Sequence, residues 1–326
     1  MQQDDTPSPS PRDAELILDG DGPVAGLVWR DAWRAQVRRH PWMTGGLALS
    51  LGAVALLLLA GIMEGIAGGG EPLRLAVLGG LSGFAATALG ALMGMVLGRI
   101  SVRTEDSLLG FAAGMMLAAS SFSLILPGLA AAREMTGSGA LGALIVVGGM
   151  TLGVMLMLGL DRFTPHAHDS TGPLGPGSGR VGRVWLFVLA ITLHNLPEGM
   201  AIGVSFAQGD LAVGLPLTSA IAIQDIPEGL AVVMALRAAG LSAWPSVLLA
   251  AASGLMEPLG SLFGAGLAGG LAVAYPMGLG LAAGAMIFVV SHEVIPETHR
   301  NGHQTPATLG LMVGFAVMMF LDTALG

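Results

Sequence analysis

Residues 184–206 read VWLFVLAITLHNLPEGMAIGVSF, and residues 213–236 read VGLPLTSAIAIQDIPEGLAVVMAL. Each stretch is long enough to cross a bilayer as a helix, because about 20 apolar residues span the hydrocarbon core. Each also carries acidic and other polar residues near its centre, where an acidic side chain costs about 2.5 to 3.5 kcal/mol. A bound cation is the simplest compensation for that cost. The two stretches therefore predict both a membrane fold and a metal site inside it.

The composition of the whole chain is typical of a protein that crosses a membrane many times. Of its 326 residues, 53% are apolar, 11% are charged and 51 are glycines, which is outside the usual range of soluble domains. The chain has no cysteine, so disulfides and thiolate metal sites are excluded. The formal net charge of −8 comes largely from an acidic tail and from acids within the spans. We expect no nucleic-acid partner and no organic cofactor.

The apolar segments predict an all-α chain with nine membrane-spanning helices in the lipid bilayer. Their approximate ranges are 43–63, 75–97, 108–129, 141–160, 184–206, 213–236, 244–267, 271–290 and 307–325. Residues 1–42 are predicted to be a cytoplasmic tail that is partly disordered, because they begin with a run rich in Pro, Ser and Asp. We expect residues 43–66 to hold the first helix, residues 67–326 to form the core, and residues 161–183 to be a mobile loop with two histidines.

The arginines predict the orientation of the chain. All 14 basic residues are arginines, and with nine spans and a cytoplasmic N-terminus only Arg74 and Arg133 lie on the outer side. Such an excess of positive charge marks the cytoplasmic side of membrane proteins. The loop at 161–183 is therefore predicted to be cytoplasmic, and the C-terminus to lie on the opposite side.

The motifs HNLPEG at 194–199 and QDIPEG at 224–229 place metal-binding residue types at the same spacings. In each motif the first and fifth residues are four apart and lie on one face of a helix, and the second residue lies beside them. Two antiparallel neighbouring helices would bring six side chains to one volume. These are His194, Asn195, Glu198, Gln224, Asp225 and Glu228.

The next span adds Glu257, which also precedes a proline. Together with Glu198, Asp225 and Glu228 it supplies four negative charges, which two divalent cations would neutralise. The donors are carboxylates, amides, one imidazole and a candidate thioether from Met116. Such a mixed set favours Zn²⁺, Cd²⁺, Fe²⁺ or Mn²⁺ over Mg²⁺ or Ca²⁺. Within the motifs, Pro197 and Pro227 lack an N–H and predict interruptions of both helices, as in transporter binding sites.

A second polar group lies at the predicted cytoplasmic end of the eighth span. It contains His292, Glu293, Glu297, His299 and His303. On the predicted topology, Asp161, His166 and His168 lie on the same side. Two interpretations stay open: a solvated polar helix end, or a release site that passes metal to the cytosol.

The paired motifs resemble those of the ZIP (Zrt/Irt-like) divalent metal transporters, particularly bacterial zinc and cadmium members, and the resemblance runs from about residue 43 to the C-terminus. It implies eight core helices in a 3+2+3 arrangement with an inverted repeat, so that the first span is an addition. It also implies a homodimer in the bacterial inner membrane, with a periplasmic C-terminus. Metal would move inward by an elevator-like motion.

The same resemblance implies a role for each candidate ligand. One ion would be held by Met116, His194 and Gln224, and a second by Asn195, Asp225 and Glu257, with Glu198 and Glu228 bridging the two. A cytoplasmic exit site would contain Asp161, His292 and Glu293, assisted by His166 and His168. At the outer mouth, Ala130 replaces an acid that related bacterial members can carry, so capture is expected to depend more on Ser123, Glu134 or Asp322.

The leading prediction is a secondary transporter that imports Zn²⁺, since the sequence has no nucleotide-binding P-loop. A selective metal channel or a carrier of protons or other ions are alternatives of the same class. A membrane metallohydrolase is a rival of another class, because paired metals activate water. It is disfavoured, since HEXXH is absent and the many candidate ligands come close to saturating two ions, whereas a hydrolase keeps an open position for water. We therefore predict that the chain is not an enzyme.

Overall fold

The computed structural model describes residues 34, 37–49, 51–52, 70–97, 100–163, 166–168, 172–174, 183–238, 240–269 and 271–325. Most of the predicted N-terminal tail, and the greater part of the predicted first span, lie outside the described residues. Within that first span, residues 43–49 and 51–52 are helical. Leu47 packs against Gly159, so this helix lies beside the helix that contains Gly159.

Beyond this N-terminal helical segment, the described elements are eleven α-helices, two π-helical turns and one small hairpin. The helices are α1 (Gly70–Val96), α2 (Val102–Ala119), α3 (Leu126–Thr136), α4 (Gly139–Phe163), α5 (Arg183–Phe206), α6 (Leu211–Ala238), α7 (Ala243–Gly254), α8 (Met256–Ala268), α9 (Ala274–Val289), α10 (Ile295–His299) and α11 (Gln304–Leu325). Two π-helical turns, Ser120–Ile125 and Val290–Val294, join α2 to α3 and α9 to α10. Strands β1 (His166–His168) and β2 (Gly172–Leu174) pair antiparallel, with His166 opposite Leu174.

Among the described residues, seven helical spans are long and apolar enough to cross a membrane. They are Gly70–Val96, Val102–Thr136, Gly139–Phe163, Leu211–Arg237, Ala243–Ala268, Ala274–His299 and Gln304–Leu325. Each coincides with a predicted span. Helix α5 has 24 residues, which gives a length of about 36 Å, and it coincides with the predicted span at 184–206. The chain is therefore an all-α polytopic membrane protein, as predicted.

Three local features differ from the sequence-based expectations. Helix α4 continues to Phe163, so Asp161 lies in its last turn, and the loop that follows contains the β1–β2 hairpin. The span predicted to end at residue 290 continues as far as His299 through a π-helical turn. Helices α5 and α6 are continuous through Pro197 and Pro227. A proline removes only one backbone donor, and the packed neighbours α8 and α1 support these helices.

A break does occur beside Glu257, between α7 and α8. Helix α7 ends at Gly254 and α8 begins at Met256, with Leu255 between them. Pro258 has no N–H to donate to the carbonyl of Gly254, so the regular hydrogen bonding stops at this point. The break places Glu257 in the first turn of α8.

Helices α4 and α9 pack through reciprocal glycines. A Cβ atom on Gly149 or Gly153 would collide with a backbone oxygen of α9, and one on Gly280 or Gly284 would collide with a backbone oxygen of α4. The same reciprocal arrangement occurs between α2 and α11 and between α5 and α8. Small residues permit such close backbone approach in membranes. The helix pairs that surround the site are therefore held at a fixed, short separation.

We expect Gly149→Ala to destabilise the protein, and Gly148→Ala to leave it unchanged or slightly stabilised. A Cβ at position 149 meets the backbone of Met277, whereas nothing lies within 4 Å of one at position 148. Overpacking of this kind costs about 1 to 3 kcal/mol. Thermal unfolding of the two purified variants in the same detergent measures the difference. Equal midpoints would show that the α4–α9 packing tolerates a methyl group.

Candidate metal centre

Three carboxylates from two neighbouring helices meet in the interior. Glu198 comes from α5, and Asp225 and Glu228 come from α6, with one ligand oxygen from each within 4.8 Å of the others. Glu198 is completely buried and Asp225 is 1% exposed. The helices bring the two motifs together as the sequence spacing predicts. We use "central cluster" for these three residues together with His194, Asn195, Gln224 and Glu257.

Two hydrogen bonds orient the carboxylates of the central cluster. Gln224 Nε2 donates to Glu198 Oε1 at 2.7 Å. Thr87 Oγ1, on α1, donates to Glu257 Oε1, also at 2.7 Å. Each bond occupies one oxygen of a carboxylate and leaves the second oxygen for another partner. No sequence pattern indicates Thr87, because a lone threonine in an apolar helix has no distinguishing feature.

Six buried atoms of the central cluster have no hydrogen-bond partner among the described residues. They are Asn195 Nδ2, Glu198 Oε2, Gln224 Oε1, Asp225 Oδ2, Glu228 Oε1 and Glu257 Oε2. Buried polar atoms in proteins are nearly always paired, and leaving a carboxylate unpaired in an apolar interior is costly. Rotation of the Asn195 amide would present its oxygen instead of its nitrogen. The donor set therefore suits divalent cations.

A second group of candidate ligands lies at one end of the central cluster and touches it. His194 Nδ1 is 3.3 Å from Glu293 Oε2, and His292 Nε2 is 4.0 Å from Asp161 Oδ2. We use "end cluster" for Asp161, His292 and Glu293. The sequence predicts His194 and Glu293 in separate sites, whereas the structure makes them neighbours. The π-helical turn that carries His292 and Glu293 packs against α2, and its Glu293 reaches His194 on α5.

Three candidate ligands lie outside the central cluster and the end cluster. Met116 is completely buried on α2, in a hydrophobic cluster that also contains Ile221. His166 and His168 lie two residues apart on β1, which packs beside α5. The ligand roles of these three residues stay predictions.

Three polar residues near the end cluster have other partners. Arg300 Nη2 lies 2.9 Å from Glu297 Oε1, and His299 Nδ1 lies 2.9 Å from the carbonyl oxygen of Ile295. His303 Nδ1 lies 2.7 Å from Asp106 Oδ2. These contacts favour a structural helix end for Glu297, His299 and His303.

At the opposite end of the helices, Ser123 Oγ donates to Asp322 Oδ1 at 2.6 Å. Ser123 lies in the first π-helical turn and Asp322 lies on α11. Two of the three residues expected at the outer mouth are therefore partners of each other.

Comparison with known proteins identifies relatives of this chain. Residues 164–322 match the family described as ZIP Zinc transporter. The chain is 67% identical over 298 residues to zinc transporter ZIPB of Bordetella bronchiseptica. The aligned region covers 91% of this chain and 96% of that protein. It is 43% identical to zinc transporter GufA of Myxococcus xanthus, over 74% of this chain and 95% of the relative. It is 32% identical to human zinc transporter ZIP11, over 77% and 97%.

We expect Glu198→Gln to reduce the stabilisation that added Zn²⁺ gives, without destabilising the metal-free protein. The substitution removes one of several crowded negative charges, so the metal-free protein should unfold at the same temperature or higher. A ligand present at 100 times its dissociation constant stabilises by about 2.7 kcal/mol. Thermal unfolding with and without Zn²⁺ measures both effects.

The control for that experiment is Glu71→Gln, because Glu71 is an exposed acid in the first turn of α1. It should show the full Zn²⁺ stabilisation. An equal Zn²⁺ effect in the Glu198→Gln variant and the intact protein would contradict metal binding by Glu198.

Proposed function

Because this chain belongs to the ZIP family of zinc transporters, we propose that it carries Zn²⁺ across the membrane through the central cluster. The observation that carries the proposal is the set of six buried polar atoms without hydrogen-bond partners among the described residues. Zn²⁺ accepts carboxylate, amide and imidazole ligands. A cation seated among the oxygens of this set would pair them and neutralise the carboxylates.

Membership of this family also decides between a transporter and an enzyme. ZIP zinc transporters are transporters, so the prediction that the chain is not an enzyme is confirmed by its family. The hydrolase alternative is thereby removed. The cargo is the metal ion itself, which enters and leaves the site as substrate.

We further propose that the central cluster holds two ions at once. Four carboxylates meet there, namely Glu198, Asp225, Glu228 and Glu257, and two divalent cations would balance their charge. The donors divide between two positions, with His194 and Gln224 at one and Asn195 and Glu257 at the other. Because the same donor types suit other borderline metals, Cd²⁺ is proposed as a second cargo, with Fe²⁺ and Mn²⁺ as weaker ones.

The contact between His194 and Glu293 supports a path for release. It joins the central cluster to the end cluster without an intervening side chain. We propose that an ion leaving His194 passes to Glu293 and then to Asp161 and His292, with His166 and His168 assisting. The arginine distribution supports a cytoplasmic position for this end, within a bacterial inner membrane and with the C-terminus outside.

The burial of the carboxylates Glu198 and Glu257 favours a carrier over a channel. A channel needs a continuous path for ions, whereas Glu198 and Glu257 are both fully buried. A carrier exposes such a site to the two sides in turn. We propose that this happens by an elevator-like displacement of one group of helices against another, in a homodimer.

The proposal predicts Zn²⁺ uptake by liposomes that contain the purified protein and a metal-sensitive dye. His194→Ala and Glu198→Ala should abolish most of the uptake, because each removes a ligand of the central cluster. Glu71→Gln serves as the control and should transport normally. If the intact protein binds Zn²⁺ but fills no vesicle, transport by this chain is disproved and a sensing role is favoured.

A separate prediction concerns release. Glu293→Gln should slow uptake while leaving metal binding at the central cluster intact, because Glu293 contacts His194 from outside that cluster. Glu297→Gln is a matched control four residues away, since Glu297 pairs with Arg300 instead. Initial rates in liposomes and equilibrium binding in detergent measure the two properties. Equal rates for both variants would contradict a role for Glu293 in the path.

A further inference from the structure

We propose that Thr87 on α1 is a positioning residue for one of the two ions, because its hydroxyl fixes the orientation of the Glu257 carboxylate. This inference rests on the proposed two-ion site. It adds to that site a helix that supplies none of the candidate ligands. The geometry around Glu257 is the basis for this role of Thr87.

The Thr87 hydroxyl has two acceptors at different distances. Oγ1 lies 2.7 Å from Glu257 Oε1 and 3.3 Å from the carbonyl oxygen of Gly83. A hydrogen bond to an ionised carboxylate is shorter and stronger than one to a neutral carbonyl. Thr87 is only 5% exposed, so water does not compete effectively for the bond. Glu257 Oε1 is therefore occupied by the protein.

The other oxygen of Glu257 faces the metal site. Oε2 has no hydrogen-bond partner among the described residues. A Cβ atom on Gly83 would collide with Oε2 and would lie 3.2 Å from Asp225 Oδ2. Glu257 Oε2 therefore occupies the space beside α1 that Gly83 leaves, and Asp225 Oδ2 lies next to the same space. One cation could bind these two neighbouring oxygens together.

Packing holds the Thr87 side chain in position. A Cβ atom on Gly254, which ends α7, would lie 3.0 Å from Thr87 Cβ. Thr87 therefore packs against the helix break that precedes Glu257, and its hydroxyl is aimed before any ion arrives. Residues that orient metal ligands in this way commonly change affinity 10- to 100-fold when they are replaced. Without the hydroxyl, Glu257 would lose its fixed orientation.

The test compares Cd²⁺ binding to four variants of the full chain by equilibrium dialysis in detergent. Thr87→Val keeps the branched shape and removes the hydroxyl, and we expect it to weaken one bound ion by about 10- to 100-fold. Thr87→Ser keeps the hydroxyl and should restore most of that affinity. Glu257→Gln should weaken the same ion. The double variant Thr87→Val/Glu257→Gln should bind no more weakly than Glu257→Gln alone.

The double variant separates positioning from a general structural role. If Thr87 acts through Glu257, its effect disappears once Glu257 is replaced, whereas independent effects add. Additive losses, or failure of Thr87→Ser to restore binding, would overturn the inference. Wild-type affinity in Thr87→Val, combined with a loss in Glu257→Gln, would also overturn it while leaving the proposed function intact. Unchanged binding in Glu257→Gln would instead disprove the two-ion site.

Discussion

Electrostatic repulsion among buried carboxylates is the constraint on which the rest of this structure depends. Ligand oxygens of Glu198, Asp225 and Glu228 lie within 4.8 Å of one another, in helices that cross a membrane. At that distance two full charges repel by about 3.5 kcal/mol, for an effective dielectric constant of about 20. Hydrogen bonds from Gln224 and Thr87 offset part of this cost. Divalent cations would offset the rest. The same repulsion therefore lowers the stability of the metal-free protein and raises the affinity of the site for metal.

Holding such a site together requires helices that approach closely. Reciprocal glycines between α4 and α9, and between α5 and α8, bring the backbones into direct contact. The resulting packing buries Glu198 and Glu257 completely. Gly83 has a different use, since it leaves room for the Glu257 carboxylate, which a Cβ atom there would displace. The same residue type thus closes the protein around the site and makes room within it.

The two spans that contain π-helical turns show how the fold connects the site to its ends. In Val102–Thr136 and again in Ala274–His299, an α-helix is followed by a π-helical turn and then by a helix with proline in its first turn. Such repetition is what an internal structural repeat would produce. The π-helical turn Ser120–Ile125 carries Ser123, which donates a hydrogen bond to Asp322. The π-helical turn Val290–Val294 carries Glu293, which contacts His194. π-Helical turns are frequent at functional sites, and here each redirects a polar side chain toward another helix.

The sequence by itself determined the membrane class, the positions of the spans and the residues of the central cluster. Length and hydrophobicity are sufficient for the spans, since the bilayer imposes both. The repeated spacing of HNLPEG and QDIPEG is sufficient for the cluster residues on α5 and α6, because helical geometry converts that spacing into a shared face. Only the tertiary structure decided which helices touch and which oxygen atoms stay unpaired. Thr87 is 170 residues from Glu257 along the chain, and His194 is 99 residues from Glu293. Contacts at such separations depend on the packing of whole helices, which local residue patterns do not encode.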